Sequence, residues 1–122
     1  MIQKFLRKIF QKNKDQNTDT IVEEVSPKIA MRSVYLEKKW GGKNKDFYSG
    51  GGSHSKRLVG PYVQAIRTFL ESQPEQLIVC DFGCGDFNVG KRLVDFSKEY
   101  RAFDVVDELI ARNREQFKHE KL

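Results

Sequence analysis

The chain has 122 residues, enough for one small domain with a modest core and too few for a two-domain enzyme. Hydrophobic residues make up 39% and charged residues 32%, which excludes wholesale disorder. The net charge of +5 and isoelectric point near 9.2 originate at Met1 to Lys14, where Lys4, Arg7, Lys8, Lys12 and Lys14 face no acid; the remainder is no basic module, and nucleic acid is not an expected partner.

In chain order, Ile2, Phe5, Leu6, Ile9 and Phe10 recur at helical spacing, with Lys4, Arg7, Lys8 and Lys12 on the other face. This stripe is expected to pack on its own domain or on a partner, with weak peripheral membrane contact as the alternative. Its apolar residues are too interrupted by charge for a signal peptide, and no run approaches the ~18 apolar residues of a membrane span. A cytoplasmic location is expected. The polar stretch Asn13 to Thr20 reads as a linker, so that 1–20 is helix plus linker.

A helical region, 21–76, follows. Ser26-Pro27 predicts an N-cap and first helical position, with a helix to about Lys39. "GGKNKDFYSGGGSHS", Gly41 to Ser55, predicts a mobile glycine-rich loop, and Gly60-Pro61 opens a helix to about Glu71 whose apolar stripe is Val63, Ile66, Phe69 and Leu70. Residues 77–122 then alternate. "LIVCDF" (Leu77 to Phe82) predicts a strand covered on both faces, and Asn88 to Lys98 a helix. "YRAFDVV" predicts the next strand, and Asp107 to about His119 the next helix. That order points to an α/β chain with a parallel sheet, the opening half of a doubly wound domain preceded by N-terminal helices.

Chemistry concentrates in "VCDFGCGDFNVG", Val79 to Gly90. Gly83 and Gly85 lack a Cβ and let backbone approach a ligand, the following helix would aim free N–H groups at it, and Asp104, 21 residues past Gly83, suits ribose hydroxyls. The third glycine of a dinucleotide fingerprint would fall on Asn88, which weakens a dinucleotide-binding reading. "GKR" at Gly90 to Arg92 lacks the hydroxyl of a phosphate-binding loop.

"CDFGCGDF" followed by "YRAFDVVDELIARN" resembles the class I S-adenosylmethionine-dependent methyltransferases, whose first motif is an apolar strand ending in an acid, one spacer and Gly-x-Gly. The resemblance spans about Gly41 to Leu122 and implies a Rossmann-like fold with S-adenosylmethionine as cofactor. It implies that Asp81, Gly83, Cys84, Gly85 and Asp86 form the turn against the amino-acid end, that Asp104 holds the ribose, and that Val105 and Val106 lie near the adenine. Many members carry a third glycine where this chain has Phe87. Members often close a Gly/Ser-rich loop over the cofactor, matched here by "FYSGGGSHS", with a flexible connection as the alternative. A whole domain of this kind has more strands, so the chain is expected to be truncated: the cofactor half only, with neither catalytic residues nor the methyl acceptor assignable.

Other groups carry blander expectations. Cys84 is expected to be structural, Cys80 and Cys84 are not expected to pair, and His54 and His119 lack metal-ligand spacing and are expected at the surface. Trp40, Phe47 and Tyr48 are expected to anchor the loop. Two further functions stay open: a non-enzymatic interaction subunit that completes its sheet with a partner, and a dinucleotide- or nucleotide-sugar-binding fragment.

Overall fold

The computed structural model describes residues 26–44 and 46–122. The amphipathic stripe of Ile2 to Phe10, the linker of Asn13 to Thr20 and the stretch up to Val25 lie outside the described residues.

Helices begin where the sequence supplies caps. The Ser26 hydroxyl accepts the Ile29 N–H at 3.3 Å, and Pro27 occupies the first turn of α1 (Pro27–Leu36). The helix stops short of Lys39 because Lys38 adopts a left-handed φ of 54°. Part of the expected glycine-rich loop is helical, forming α2 (Gly50–His54). The next helix, α3 (Lys56–Glu71), starts ahead of the expected Gly60 and runs through Pro61, which has no N–H to donate to the ladder. It turns Val63 and Ile66 to the core and buries Val59 and Leu70, while Phe69 of the expected stripe faces out.

Two strands, β1 (Ile78–Phe82) and β2 (Glu99–Phe103), pair in parallel with Val79 beside Tyr100 and Asp81 beside Ala102. Because alternate strand residues point to opposite faces, Val79, Tyr100 and Ala102 meet a cluster of Cys84, Phe87, Leu93 and Val94. The other face corrects the expectation of cover on both sides. Ile78, Cys80 and Phe82 are exposed, Phe82 by 80%, and its ring stacks on Phe103 at 5.0 Å.

The expected helix over Asn88 to Lys98 does not form. Two 3-10 turns, Gly90–Arg92 and Val94–Phe96, replace it, with bonds such as Leu93 N–H to the Gly90 carbonyl at 2.8 Å. The cause lies just upstream. Phe87 sits at a left-handed φ of 61°, the Asp86 carboxylate takes the Asn88 N–H at 3.2 Å, and Val89, Gly90 and Val94 are weak helix formers. Strand β2 ends at Phe103, three residues before Val106, because the Asp104 carboxylate accepts the Val106 N–H at 3.0 Å and turns the chain into α4 (Asp107–Gln116).

Between α1 and α4 a second cluster buries Tyr35, Val106 and Leu109. Asp107 and Glu108, in the first turn of α4 where the helix dipole favours acids, pair with Lys28 (2.5 Å) and Arg32 of α1. These pairs are exposed and contribute little each; the buried side chains hold the helices together.

A Cβ at Gly90 would lie 2.3 Å from the Phe87 ring, whereas one at Gly83 would meet nothing within 4 Å and only suffer the φ of 87°. Gly90→Ala is therefore expected to cost roughly 1–3 kcal/mol by overpacking, and Gly83→Ala about 1–2 kcal/mol by backbone strain alone. Urea unfolding of both variants compares them; a Gly90→Ala protein as stable as the native one would show that the Phe87 ring is not fixed.

Candidate functional site

The left-handed residues after β1, Gly83 at φ 87° and Gly85 at φ 57°, fold the chain into a tight turn at the strand end. Two backbone bonds fix its position: Gly83 and Cys84 N–H groups both donate to the Phe103 carbonyl, at 2.8 and 2.9 Å. The turn is thereby tied to the end of β2, and Asp104 closes the link by accepting the Gly85 N–H at 3.1 Å. Asn113 of α4 donates to the Gly85 carbonyl at 2.7 Å. The acids ending the two strands, Asp81 and Asp104, thus face a common space.

That space is a cavity of about 410 Å³, within the size range of small-molecule sites. Asp81, Gly83, Cys84, Gly85, Asp86 and Asp104 all line it, so six of the seven expected site residues come together. Val105 does not: it is exposed and outside the cavity, while Val106 beside it is fully buried in the second cluster. Residues from the helices complete the walls, among them Tyr35, Trp40, Ser49, Ser53 and Tyr62. None of the described lining residues is Lys or Arg. A larger cleft of about 920 Å³ runs along β2 and the chain end, past Ala102, Ile110 and Phe117, and contains none of the expected site residues.

The two glycines serve different ends. The face of Gly83 is open, so its missing side chain leaves room in the cavity. A Cβ on Gly85 would lie 2.3 Å from the Ser49 hydroxyl and 3.2 Å from that of Tyr35. Glycine there admits the protein's own glycine-rich segment.

Asp86 is the joint between turn and segment. Its Oδ2 accepts the Ser49 N–H at 3.0 Å and lies 2.5 Å from His54 Nε2, and its own N–H donates to the Ser49 hydroxyl at 2.7 Å. Asn88 donates to the Ser53 carbonyl at 2.7 Å, and the Tyr35 and Ser49 hydroxyls are 3.0 Å apart. His54 is consequently half-buried rather than at the surface as expected, its ring tilted against that of Tyr48 with centroids 4.4 Å apart. His119 is exposed, 3.0 Å from Asp95. Sequence reasoning missed Tyr35 as part of this site, and it singled out neither Ser49 nor His54 within the glycine-rich segment that the resemblance set against the cofactor. The signal available was a histidine and hydroxyls in a glycine-rich stretch with few apolar anchors.

Titration behaviour follows from these contacts. Burial raises the Asp81 carboxyl above its ordinary value and the charge of Asp104 adds to this, against a hydrogen bond from the Tyr100 hydroxyl at 2.9 Å. Burial also acts to raise Asp86, but the His54 bond and the N–H groups of Ser49 and Asn88 outweigh it and hold the carboxyl below the ordinary range. The Cys84 thiol is pushed up to about 12, by burial first and then by Asp81 and Asp104. It is a protonated, inert thiol near neutral pH. Among the described residues no group of three or more His, Cys, Asp or Glu could hold a metal ion, and no helix is long and apolar enough to cross a membrane.

Compared with protein-family models, curated proteins and solved structures, the chain matches none.

The two aspartates are expected to respond oppositely to pH. Asp86, depressed in the fold, adds stability that is present above the unfolded carboxyl value and is lost as pH falls through the folded one. Asp86→Asn should therefore cost about 1–3 kcal/mol at pH 7 and progressively less in acid. Asp81, raised in the fold, adds stability only when protonated, so Asp81→Asn should melt higher than the native protein at pH 7, the gap closing below the ordinary carboxyl range. Melting curves from pH 3 to 7, read against roughly that titration range, check both; parallel curves for native and variant would refute the assignment.

Proposed function

We propose that this chain is the cofactor-binding half of a Rossmann-like methyltransferase that takes S-adenosylmethionine. The observation that carries the reading is the charge of the cavity: carboxylates at both strand ends, an open glycine face, aromatic rings, and no lysine or arginine among the described lining residues. A pyrophosphate needs cations or a helix N-terminus. The connection after the turn holds 3-10 turns instead of a helix, so a dinucleotide or nucleotide sugar is poorly served. A cofactor that is cationic at its reacting end and carries ribose hydroxyls suits these groups.

In this reading Gly83 admits the cofactor to the turn, Asp104 receives ribose hydroxyls, and Asp81 stands at the amino-acid end, oriented by Tyr100. Asp104 uses one lone pair on each oxygen for the Gly85 and Val106 N–H groups, which fixes the carboxylate and leaves further acceptor capacity. When bound, S-adenosylmethionine supplies an activated methyl group. The protein's part is to orient it and exclude water.

A second reading, an interaction subunit that completes its sheet against another chain, draws on the open face with Phe82. It predicts concentration-dependent association in sedimentation velocity and no cofactor binding.

Trp40, the single tryptophan of the chain, lines the cavity. Titration with S-adenosylmethionine is expected to change its emission saturably, NAD to leave it unchanged, and Asp104→Asn to weaken binding by about 1–3 kcal/mol through lost charge-assisted bonds. Tighter binding of NAD, or an unaltered affinity in Asp104→Asn, would overturn the assignment.

A further inference from the structure

Alternation along the strands places Ile78, Cys80 and Phe82 of β1 on the open face of the sheet, beside Glu99, Arg101 and Phe103 of β2 in that register. The Phe82 and Phe103 rings stack there, and both are exposed. The two charged groups satisfy each other, since Arg101 donates to both carboxylate oxygens of Glu99, at 2.7 and 3.0 Å. What the face offers an occupant is therefore apolar. The described side chains that pack on the sheet, such as Val63, Ile66, Ile110 and Phe117, do so from the opposite side, with Val79, Tyr100 and Ala102.

The entry point of the chain decides what can reach this face. The described residues begin at Ser26, ahead of α1, and Lys28 and Arg32 of α1 pair with Asp107 and Glu108 of α4. Those acids follow Val105, which is itself exposed and two residues past Phe103. The chain before Ser26 thus joins the structure near one end of the open face. It carries the apolar stripe Ile2, Phe5, Leu6, Ile9 and Phe10, which lies outside the described residues. Nine residues of helix span about 13 Å, and a strand of the length of β1 about 17 Å, so the stripe matches the face in size. The residues from Gln11 to Val25, fully extended, reach roughly 50 Å, so the connection sets no limit.

We propose that the amphipathic segment Ile2 to Phe10 docks on the open face of the sheet, its apolar stripe across Cys80, Phe82 and Phe103 and its Lys4, Arg7 and Lys8 in water. The tether selects this occupant over a second copy of the chain. A segment on a flexible linker stands at an effective concentration on the order of millimolar, far above that of another molecule in dilute solution. The inference is independent of the cofactor reading and competes with the interaction-subunit reading, because a partner chain would have to displace the segment.

Cys80, in the middle of the face, reports its cover, since it is exposed in the described structure while Cys84 is buried. In the whole chain, alkylation of Cys80 by iodoacetamide is expected to be about tenfold or more slower than in Leu6→Asp, at a rate that does not depend on protein concentration. Equal rates in the two proteins would overturn the proposal. Protection that fades on dilution would overturn it as well, since a second copy would then be the cover. Disulfide trapping gives an answer that does not depend on how Leu6→Asp folds. Under mild oxidation at least one of Phe5→Cys, Leu6→Cys and Ile9→Cys is expected to bond to Cys80 within a single molecule, seen by peptide mass mapping of the monomer, whereas Lys4→Cys on the polar face is not. Bonds formed only between molecules, no bond from any apolar position, or bonding as ready from Lys4→Cys would each refute the docking.

Discussion

The placement of one aromatic ring governs this structure. Phe87 is 1% exposed, at a backbone conformation that few side chains tolerate, with its ring edge-on to Tyr100 (5.7 Å) and Phe117 (5.2 Å). To seat it there, the chain must leave β1 through left-handed residues and Gly90 must yield the space a Cβ would fill. Strand β2, through Tyr100, and the residues after α4, through Phe117, are both drawn to the same ring. Burial of a phenylalanine contributes roughly 2–3 kcal/mol, enough to offset the strain of one left-handed residue.

The same turn points Asp86 away from the ring and toward the glycine-rich segment. A buried carboxylate is stable only when its acceptor sites are filled, and Ser49, His54 and Asn88 fill them. One local distortion therefore does two things. It closes the core beneath the sheet and ties the helical N-terminal region to the strand ends where Asp81 and Asp104 meet.

The carboxylates at the strand ends pull the other way. Asp81 lies close enough to Asp104 for the two charges to repel, and burial raises its carboxyl further. Among the described residues, neither charge is matched by a lysine or arginine in the cavity wall. Sites that hold such unfavourable charge commonly serve binding or catalysis. The open face bearing Ile78, Phe82 and Phe103 is a separate exposure, on the side of the sheet away from Val79 and Tyr100.

The sequence alone determined the helices at Pro27 and Asp107, the two strands and the cluster of glycines and acids, because caps, apolar runs and turn residues act over a few positions. The joint lining of one cavity by Asp81, Gly83, Gly85 and Asp104 was legible too, since the turn and the parallel partner fix those strand ends. Tertiary structure decided the rest. Asn88 to Lys98 has apolar residues at helical spacing, but the left-handed Phe87, the Asp86 carboxylate on the Asn88 N–H and the weak helix formers Val89, Gly90 and Val94 together break that pattern into 3-10 turns. His54 and Ser49 look like loop residues until Asp86, more than thirty positions away, gives them a partner. A buried carboxylate selects whatever donors the fold brings to it, and no local pattern encodes which ones those are.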